Sequence, residues 1–257
     1  MTRVVALANQ KGGVGKTTTA INLGASLAAC ERKVLLIDLD PQANATSGIG
    51  LPKNEAQSMY SVLLDGMSIR SVIRPSDLPT LYVAPSSVDL VGAEVELSNA
   101  DDRQFKLRRA IEPITAEYDY VLIDSPPSLG LLTVNGLTAA DSVLVPMQCE
   151  YFAMEGVSQL LNTIERVRES LNPKLEIEGI ALTMYDDRMN LARQVAEEVR
   201  SHFGDQVYKT VIPRNVRLGE APSFGKPIIL YDIRSRGSEA YVSLAKEFIR
   251  RAEGVTA

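Results

Sequence analysis

Residues 9–19 place the tightest constraint on what this chain can fold into. They read N-Q-K-G-G-V-G-K-T-T-T and stand between an apolar run at 4–8 and a helix-compatible run at 18–29. Glycines let successive backbone N–H groups turn toward an anion without Cβ clashes, and a helix N-terminus adds unpaired donors and the positive end of its dipole. A strand, a glycine-rich loop and a helix in this order predict a phosphate-binding loop.

The polar residues of this loop have separate predicted roles. Lys16 would bring a cation to the outer phosphates, and Thr17 would offer its hydroxyl to Mg²⁺. The loop departs from the general pattern G-x-x-x-x-G-K-[ST], because Gln10 stands where the first glycine is expected and Lys11 is an additional lysine. The predicted nucleotide-binding residues of the loop are Lys11, Gly12, Gly13, Val14, Gly15, Lys16, Thr17 and Thr18.

Carboxylates follow two further apolar runs. Asp38 and Asp124 each end such a run, and in a parallel sheet both would lie at the edge that carries the phosphate loop. Because Mg²⁺ prefers oxygen ligands and keeps several waters, Thr17, Asp38 and Asp124 form the predicted magnesium site. Asp40, two residues beyond Asp38, is expected further out, where a water would attack the γ-phosphate.

Strand-like and helix-like segments alternate along the chain. The strands are apolar throughout, which is typical of strands buried on both faces of a parallel sheet. The sequence therefore predicts an α/β fold, a doubly wound and mostly parallel sheet flanked by helices, formed as one domain over residues 1–257. It also predicts an amphipathic helix over 101–117 and extended segments at 206–212 and 227–230.

Composition narrows the function classes. The net charge of −5 gives no global basic field, but residues 180–257 carry 12 basic against 10 acidic residues, which indicates a local basic face. Two cysteines, Cys30 and Cys149, and one histidine, His202, argue against a disulfide framework, a zinc site and a Ser-His-Asp triad. No leader peptide or membrane-spanning run is visible, so the expected location is the cytoplasm.

Four stretches together resemble one protein family. They are K-G-G-V-G-K-T at 11–17, D-L-D-P-Q at 38–42, L-I-D-S-P-P at 122–127 and I-P-R-N-V-R-L-G-E-A-P-S at 212–223. The first is similar to the deviant Walker A loop of the ParA/MinD superfamily of P-loop NTPases, and the last is typical of the short chromosomal ParA/Soj proteins. The resemblance covers nearly the whole chain.

The resemblance implies a chromosome-partitioning ATPase with ATP and Mg²⁺ as cofactors. Its ATP-bound form would be a sandwich homodimer that binds double-stranded DNA without sequence preference. A ParB/Spo0J-type partner would stimulate hydrolysis and release the dimer, and the protein would associate with the nucleoid.

The resemblance also implies residue roles. Lys11 would reach the partner subunit's ATP, and Asp40 would be needed for hydrolysis together with Lys16. Pro213 and Asn215 would lie against the purine. The implied DNA-binding residues are Arg188, Arg217, Lys226 and Arg250, with Arg234 and Lys246 as candidate neighbours.

Other members of the superfamily remain as alternatives. A MinD-like membrane-cycling ATPase would end in an amphipathic helix, and residues 241–254 are amphipathic. Their apolar residues suffice only to cover the fold's own sheet, so no stable membrane association is expected. An electron carrier like the nitrogenase iron protein would need cysteines that hold a cluster between subunits, and no second cysteine is suitably placed beside Cys149. An ATP-dependent ligase and a regulator without turnover stay open.

Overall fold

The computed structural model describes residues 2–53, 56–151 and 153–254, without the side chain of Glu94. Seven strands form one sheet in the order β3-β4-β2-β5-β1-β6-β7. The strands are β1 (Arg3–Leu7), β2 (Val34–Asp38), β3 (Arg74–Pro75), β4 (Leu81–Ala84), β5 (Tyr120–Asp124), β6 (Ser142–Gln148) and β7 (Glu176–Thr183).

The sheet is parallel except at one edge. Every neighbouring pair runs parallel apart from the two-residue strand β3, which pairs antiparallel with β4. The register sets Leu7 beside Asp124 on one side and Asp38 beside Asp124 on the other. The three central strands β2, β5 and β1 therefore end together, and two of them end in a carboxylate.

Helices cover both faces of the sheet, which confirms the predicted doubly wound α/β architecture. They are α1 (Lys16–Ala29), α2 (Asn44–Gly48), α3 (Met59–Leu63), α4 (Ile69–Val72), α5 (Leu90–Glu96), α6 (Lys106–Ile111), α7 (Leu131–Ala139), α8 (Ala153–Ser170), α9 (Asn190–Phe203), α10 (Val216–Glu220), α11 (Ile228–Tyr231) and α12 (Arg236–Ala252). Short 3₁₀ turns lie at Leu97–Asn99, Thr115–Glu117, Gly204–Gln206 and Ala221–Phe224.

Two apolar cores lie on opposite faces of the sheet. Along β1, Val4 and Ala6 face the core that contains α6 to α9, while Val5 and Leu7 face the core that contains α1 and α12. This two-sided burial is the reason why the strands are apolar at every position rather than at alternate ones.

The last helix packs its apolar face into the second core. Tyr241, Leu244 and Phe248 of α12 are almost fully buried against α1 and the sheet. The sequence-based expectation that these residues cover the fold's own sheet is therefore confirmed.

Within the described part of the chain, no helix combines the length and the apolar character that crossing a bilayer requires.

The predicted helix over 101–117 is wrong in its extent. Only residues 106–111 are α-helical, followed by the 3₁₀ turn at 115–117. At the start of the predicted helix, the Asn135 side chain of α7 accepts from the Leu107 N–H and donates to the Arg103 carbonyl. Residues 101–105 form turns instead of helix. Pro113 ends the helix because it has no N–H and restricts the residue before it.

Two predicted extended segments also differ. At 227–230 the chain forms α11, because Leu230 and Tyr231 both donate to the Pro227 carbonyl, and proline is well suited to a helix start. At 206–212 the chain runs beside β7 without forming a regular strand, since Val207 makes an isolated bridge with Ile180 and the Tyr208 and Ile212 N–H groups donate to carbonyls of β7. Between these bonds, the Lys209 and Thr210 N–H groups donate to the Glu247 carboxylate on α12.

The loop that follows β2 rests on the 221–225 turn through two glycines. Gly225 has φ +63, and a Cβ added there would lie 2.7 Å from the Gly50 Cα. The left-handed conformation and the close backbone approach both require glycine at this position.

We predict that Gly225→Ala destabilises the fold by about 2–4 kcal/mol, the sum of a left-handed backbone penalty and a steric clash. Gly66→Ala is the matched control, since Gly66 has φ +69 but an added Cβ would meet nothing within 4 Å. It should lose only about 1–2 kcal/mol. Urea unfolding of both variants measures the difference, and equal losses would contradict the close-contact interpretation.

Candidate functional site

The glycine-rich loop joins β1 to α1 and leaves a concave surface. Gly13 and Gly15 have φ values of 75 and 85, in the left-handed region that favours glycine. A Cβ at Gly12 or Gly13 would meet no atom within 4 Å, so these positions border open space. Lys16 is the first helical residue, two positions earlier than the sequence indicated. The loop therefore opens at a helix N-terminus, where backbone N–H groups attract an anion.

Two side chains outside the glycines hold this loop in place. The Asn9 amide donates to the Pro146 carbonyl at 2.8 Å and accepts from the Lys11 N–H at 3.0 Å. The Thr183 hydroxyl, at the end of β7, donates to the Val14 carbonyl at 2.7 Å. Sequence reasoning missed both anchors, although Asn9 stands at the start of the motif.

Lys16 crosses the loop with its charge largely buried. Lys16 is 6% exposed, and its Nζ donates a hydrogen bond to the Lys11 carbonyl at 3.0 Å. Burial lowers the pKa of the Lys16 ammonium, and the nearby Asp124 and Asp40 carboxylates partly oppose this. The ammonium thus lies among the carboxylates at the mouth of the loop, where bound phosphates would add further negative charge.

Lys11 points to a different neighbour. Its Nζ pairs with the Glu150 carboxylate of the same chain at 2.5 Å, and both side chains are more than a third exposed. An exposed ion pair of this kind contributes only about 0–1 kcal/mol, so it exchanges readily for another anion. Glu150 was not identified from the sequence.

Asp124 presents two unsatisfied oxygens to the loop. It is fully buried, and neither carboxylate oxygen has a hydrogen-bond partner among the described residues. Burial, followed by repulsion from Asp38, raises the pKa of the Asp124 carboxyl. The Thr17 hydroxyl lies beside it and favours the charged form, although the contact falls outside hydrogen-bonding geometry. Open oxygen ligands next to a hydroxyl suit a hydrated Mg²⁺.

Asp38 is held much more tightly. Its Oδ2 accepts from the Thr46 N–H at 2.8 Å and the Thr46 hydroxyl at 2.7 Å, and its Oδ1 accepts from the Asp40 N–H at 3.1 Å. Burial raises its pKa to about 6, against the opposing effect of these hydrogen bonds. Asp38 therefore has few lone pairs left for a metal and is better placed to orient a metal-bound water.

Asp40 lies at the rim of this carboxylate pair. It is 8% exposed, whereas Asp38 is fully buried, and its Oδ1 accepts from the Gln42 N–H at 2.9 Å. The turn that carries it includes Ala43 with φ 51. The relative placement of the two aspartates is the one expected from the D-x-D spacing.

A cavity of about 340 Å³ adjoins the loop. Pro213 and Asn215 line it together with Gly15 and Thr18, so the residues predicted at the purine meet the residues predicted at the phosphates. Its other lining residues, which sequence reasoning missed, include Thr183, Met184, Leu218 and Tyr241. A largely apolar lining next to a phosphate cradle suits the flat face of a base.

The predicted DNA-binding arginines are exposed and paired with carboxylates. Arg188 bonds Asp186 at 2.7 Å, and Arg217 bonds Glu220 at 2.8 Å. Such surface pairs are weak, so a phosphate can replace the carboxylate. Arg217 lies close to the cavity that Asn215 lines, because the Asn215 side chain caps the helix that carries it. Arg188 follows β7 and lines a second cavity together with Pro213.

The other basic candidates divide between the two edges of the sheet. Lys226 is exposed beside Gly225 at the carboxyl edge. Arg250 lies in the last turn of α12, near Glu253, which borders a cavity at the strand starts. Arg236 was missed, yet it lines a cavity of about 600 Å³ with Arg188. A DNA-binding role for Arg250 stays a prediction, and it would need a surface separate from that of Arg188, Arg217 and Lys226.

The sequence matches one family model and is similar to curated chromosome-partitioning proteins. The sequence profile of a family described as an AAA domain matches residues 2–177. The chain is 58% identical over 250 residues to the chromosome partitioning protein ParA of Myxococcus xanthus, covering 97% of this chain and 88% of that protein. It is 57% identical over 248 residues to the sporulation initiation inhibitor protein Soj of Bacillus subtilis, covering 96% and 98%.

Solved structures share the fold over the same length. Cobyrinic acid a,c-diamide synthase from Mycobacterium smegmatis, crystallised with ADP and magnesium, superposes with a TM-score of 0.87 at 38% identity and covers 100% of this chain and 97% of its own. The fold, the site geometry and the two relatives with more than 55% identity agree, and the chain belongs to the ParA/Soj family of chromosome-partitioning ATPases.

Proposed function

We propose that this protein binds ATP and Mg²⁺ at the site between β1, β2 and β5, dimerises around them, binds DNA as a dimer, and is released when a ParB-type partner stimulates hydrolysis. The observation that carries the proposal is the pair of fully buried neighbours Asp38 and Asp124 beside a glycine loop and the Lys16 ammonium. Two adjacent buried carboxylates need a countercharge, and a magnesium–phosphate complex supplies it.

The chain's own residues divide the work of phosphoryl transfer. The loop amides and Lys16 would compensate the phosphate charge, while Thr17 and Asp124 would hold Mg²⁺, with Asp38 orienting one of its waters. Bound Mg²⁺ supplies charge neutralisation on the phosphate oxygens. Asp40, at the rim, would orient the attacking water, since this reaction depends on placement and electrostatics more than on covalent chemistry.

Lys11 gives the site a reason to dimerise. The Lys11 ammonium forms an ion pair with Glu150 at the surface. In a sandwich dimer it would exchange Glu150 for the phosphates bound by the partner subunit and complete their charge compensation, as an arginine finger supplied in trans does. Hydrolysis would then depend on pairing.

DNA binding would use the basic residues at the carboxyl edge. Arg188, Arg217 and Lys226 lie on segments that follow β7 or contact the loop after β2. Lysine and arginine contacts to phosphates give affinity without base readout, and a dimer doubles them. This explains how an acidic monomer would bind nucleic acid only when paired. We further propose a single domain, located in the cytoplasm and associated with the nucleoid.

Two alternatives receive less support. A MinD-like membrane cycle would need an exposed apolar face on the last helix, but the apolar residues of α12 are buried in the core. An amide ligase is suggested by the 38% identity to the diamide synthase, which is well below the 58% identity to ParA. ATP turnover that needs no carboxylic acid substrate, and that DNA together with a ParB-type partner stimulates, would support partitioning over ligation.

We predict that Asp40→Ala lowers the rate of ATP hydrolysis by at least about 100-fold, because the attacking water loses its orienting group. The affinity for ATP–Mg should change by less than about twofold, since the phosphate loop is untouched. Phosphate release and binding of a fluorescent ATP analogue measure the two effects. Asp65→Ala, an exposed aspartate, is the control. Turnover by Asp40→Ala that equals the control would refute the assigned role.

For DNA, we predict that Arg217→Glu abolishes retention on a non-specific duplex at about 0.1 M salt, while ATP hydrolysis without DNA survives. The charge reversal replaces a phosphate contact with repulsion at the proposed surface. Arg166→Glu, the same charge change at an exposed position on α8, should bind DNA normally. Equal retention by the two variants across several salt concentrations would remove Arg217 from the interface.

A further inference from the structure

A buried serine and a buried threonine join Asp38 and the Asp40 turn to the neighbouring strand β4. Ser86 and Thr46 are both fully buried. The Ser86 hydroxyl donates to the Asp40 carbonyl at 2.7 Å, and the Ser86 N–H donates to the Thr46 hydroxyl oxygen at 2.9 Å. Ser86 follows β4, the strand next to β2, so these bonds tie the Asp40 turn to the neighbouring strand of the sheet.

The Thr46 hydroxyl is the centre of this arrangement. It accepts from Ser86 and at the same time donates to Asp38 Oδ2 at 2.7 Å, while the Thr46 N–H donates to the same oxygen at 2.8 Å. One oxygen atom therefore both fixes the orientation of the Asp38 carboxylate and connects it to Ser86. A hydroxyl suits this position, because its single oxygen donates one hydrogen bond and accepts others.

The segment that carries Ser86 is itself anchored. The Pro85 carbonyl accepts from the Met59 N–H at 2.8 Å, and the Ser87 hydroxyl accepts from the Ser58 hydroxyl at 3.1 Å. Hydrogen bonds on both sides of Ser86 therefore hold it in place, so the two hydrogen bonds that Ser86 itself makes restrain the Asp40 turn.

We propose that Thr46 and Ser86 are positioning residues for phosphoryl transfer, an inference that rests on the proposed ATPase function. Thr46 holds the Asp38 carboxylate in one orientation toward the metal-bound water. Ser86 holds the backbone of Asp40 and so fixes where its side chain meets the attacking water. Misplacement by about 1 Å is enough to cost about 100-fold in rate, so the two hydroxyls act on catalysis without touching the nucleotide.

The test compares Thr46→Val and Ser86→Ala with variants that remove equally buried hydroxyls elsewhere. Thr138→Val and Ser26→Ala are the matched controls, because both residues are about 1% exposed and their hydroxyls have no hydrogen-bond partner among the described residues. Thr46→Ser keeps the hydroxyl and serves as the rescue variant. The measurements on the full chain are kcat, affinity for a fluorescent ATP analogue with EDTA and with Mg²⁺, and amide hydrogen exchange of residues 38–47.

We expect kcat to fall about tenfold or more in Thr46→Val and about threefold to tenfold in Ser86→Ala, the effects of losing hydrogen bonds at a charged site. Affinity in EDTA should stay within about twofold of wild type, whereas the gain in affinity on adding Mg²⁺ should shrink in Thr46→Val. Hydrogen exchange in residues 38–47 should accelerate in both variants. Thr46→Ser and both controls should stay within about twofold of wild type in kcat.

Several results would overturn the inference. One is a kcat for Thr46→Val within twofold of wild type, and another is an equal loss in Thr138→Val, which would indicate a general stability effect. Failure of Thr46→Ser to restore kcat would also contradict it. If Thr46→Val does not fold, Ser86→Ala against Ser26→Ala decides. A wild-type chain that binds ATP–Mg but never hydrolyses it would overturn the proposed function itself.

Discussion

The structure depends on two buried carboxylates, Asp38 and Asp124, that lie side by side at the ends of adjacent parallel strands. Burial raises the pKa of both carboxyls, and repulsion from Asp38 raises the pKa of Asp124 further. Such a pair is costly unless a cation joins it. The glycine loop, the Lys16 ammonium and the Thr17 hydroxyl lie at the same edge, so the cost of burying two carboxylates together and the proposed binding of a magnesium–phosphate complex have one structural origin.

The loop after β2 connects this site to the rest of the molecule. On one side, Thr46 and Ser86 bond it to the aspartates and to the end of β4. On the other side, Gly50 packs against Gly225, in the turn between the helix that carries Arg217 and the exposed Lys226. One segment therefore contacts both a carboxylate of the proposed magnesium site and the proposed nucleic-acid surface. This is the arrangement expected if nucleotide state and DNA binding are linked through a short, directly packed path.

The sequence predicted those features that depend on residues close together in the chain, and it missed contacts between residues that are far apart in it. The phosphate loop, Asp38, Asp40 and Asp124 could be proposed as site residues because they lie in contiguous motifs, and the sheet was predicted correctly because its strands are apolar on both faces. The anchors Asn9 and Thr183, the Lys11–Glu150 pair and the Thr46–Ser86 contacts join residues far apart in the chain, so no local pattern reveals them. At 101–117 the Asn135 side chain bonds the Leu107 N–H at the start of a helix shorter than predicted, and at 206–212 Glu247 accepts from two amides and so interrupts the extended segment.

We propose that the site is completed only when two copies of the chain share their nucleotides. Size-exclusion chromatography with light scattering on Asp40→Ala in saturating ATP–Mg tests it most directly, because blocked hydrolysis preserves the bound state. We expect a dimer with ATP–Mg, a monomer with ADP–Mg, and a monomer with ATP–Mg when Lys11→Ala is added. A chain that stays monomeric in ATP–Mg, or that dimerises equally well without Lys11, would contradict it.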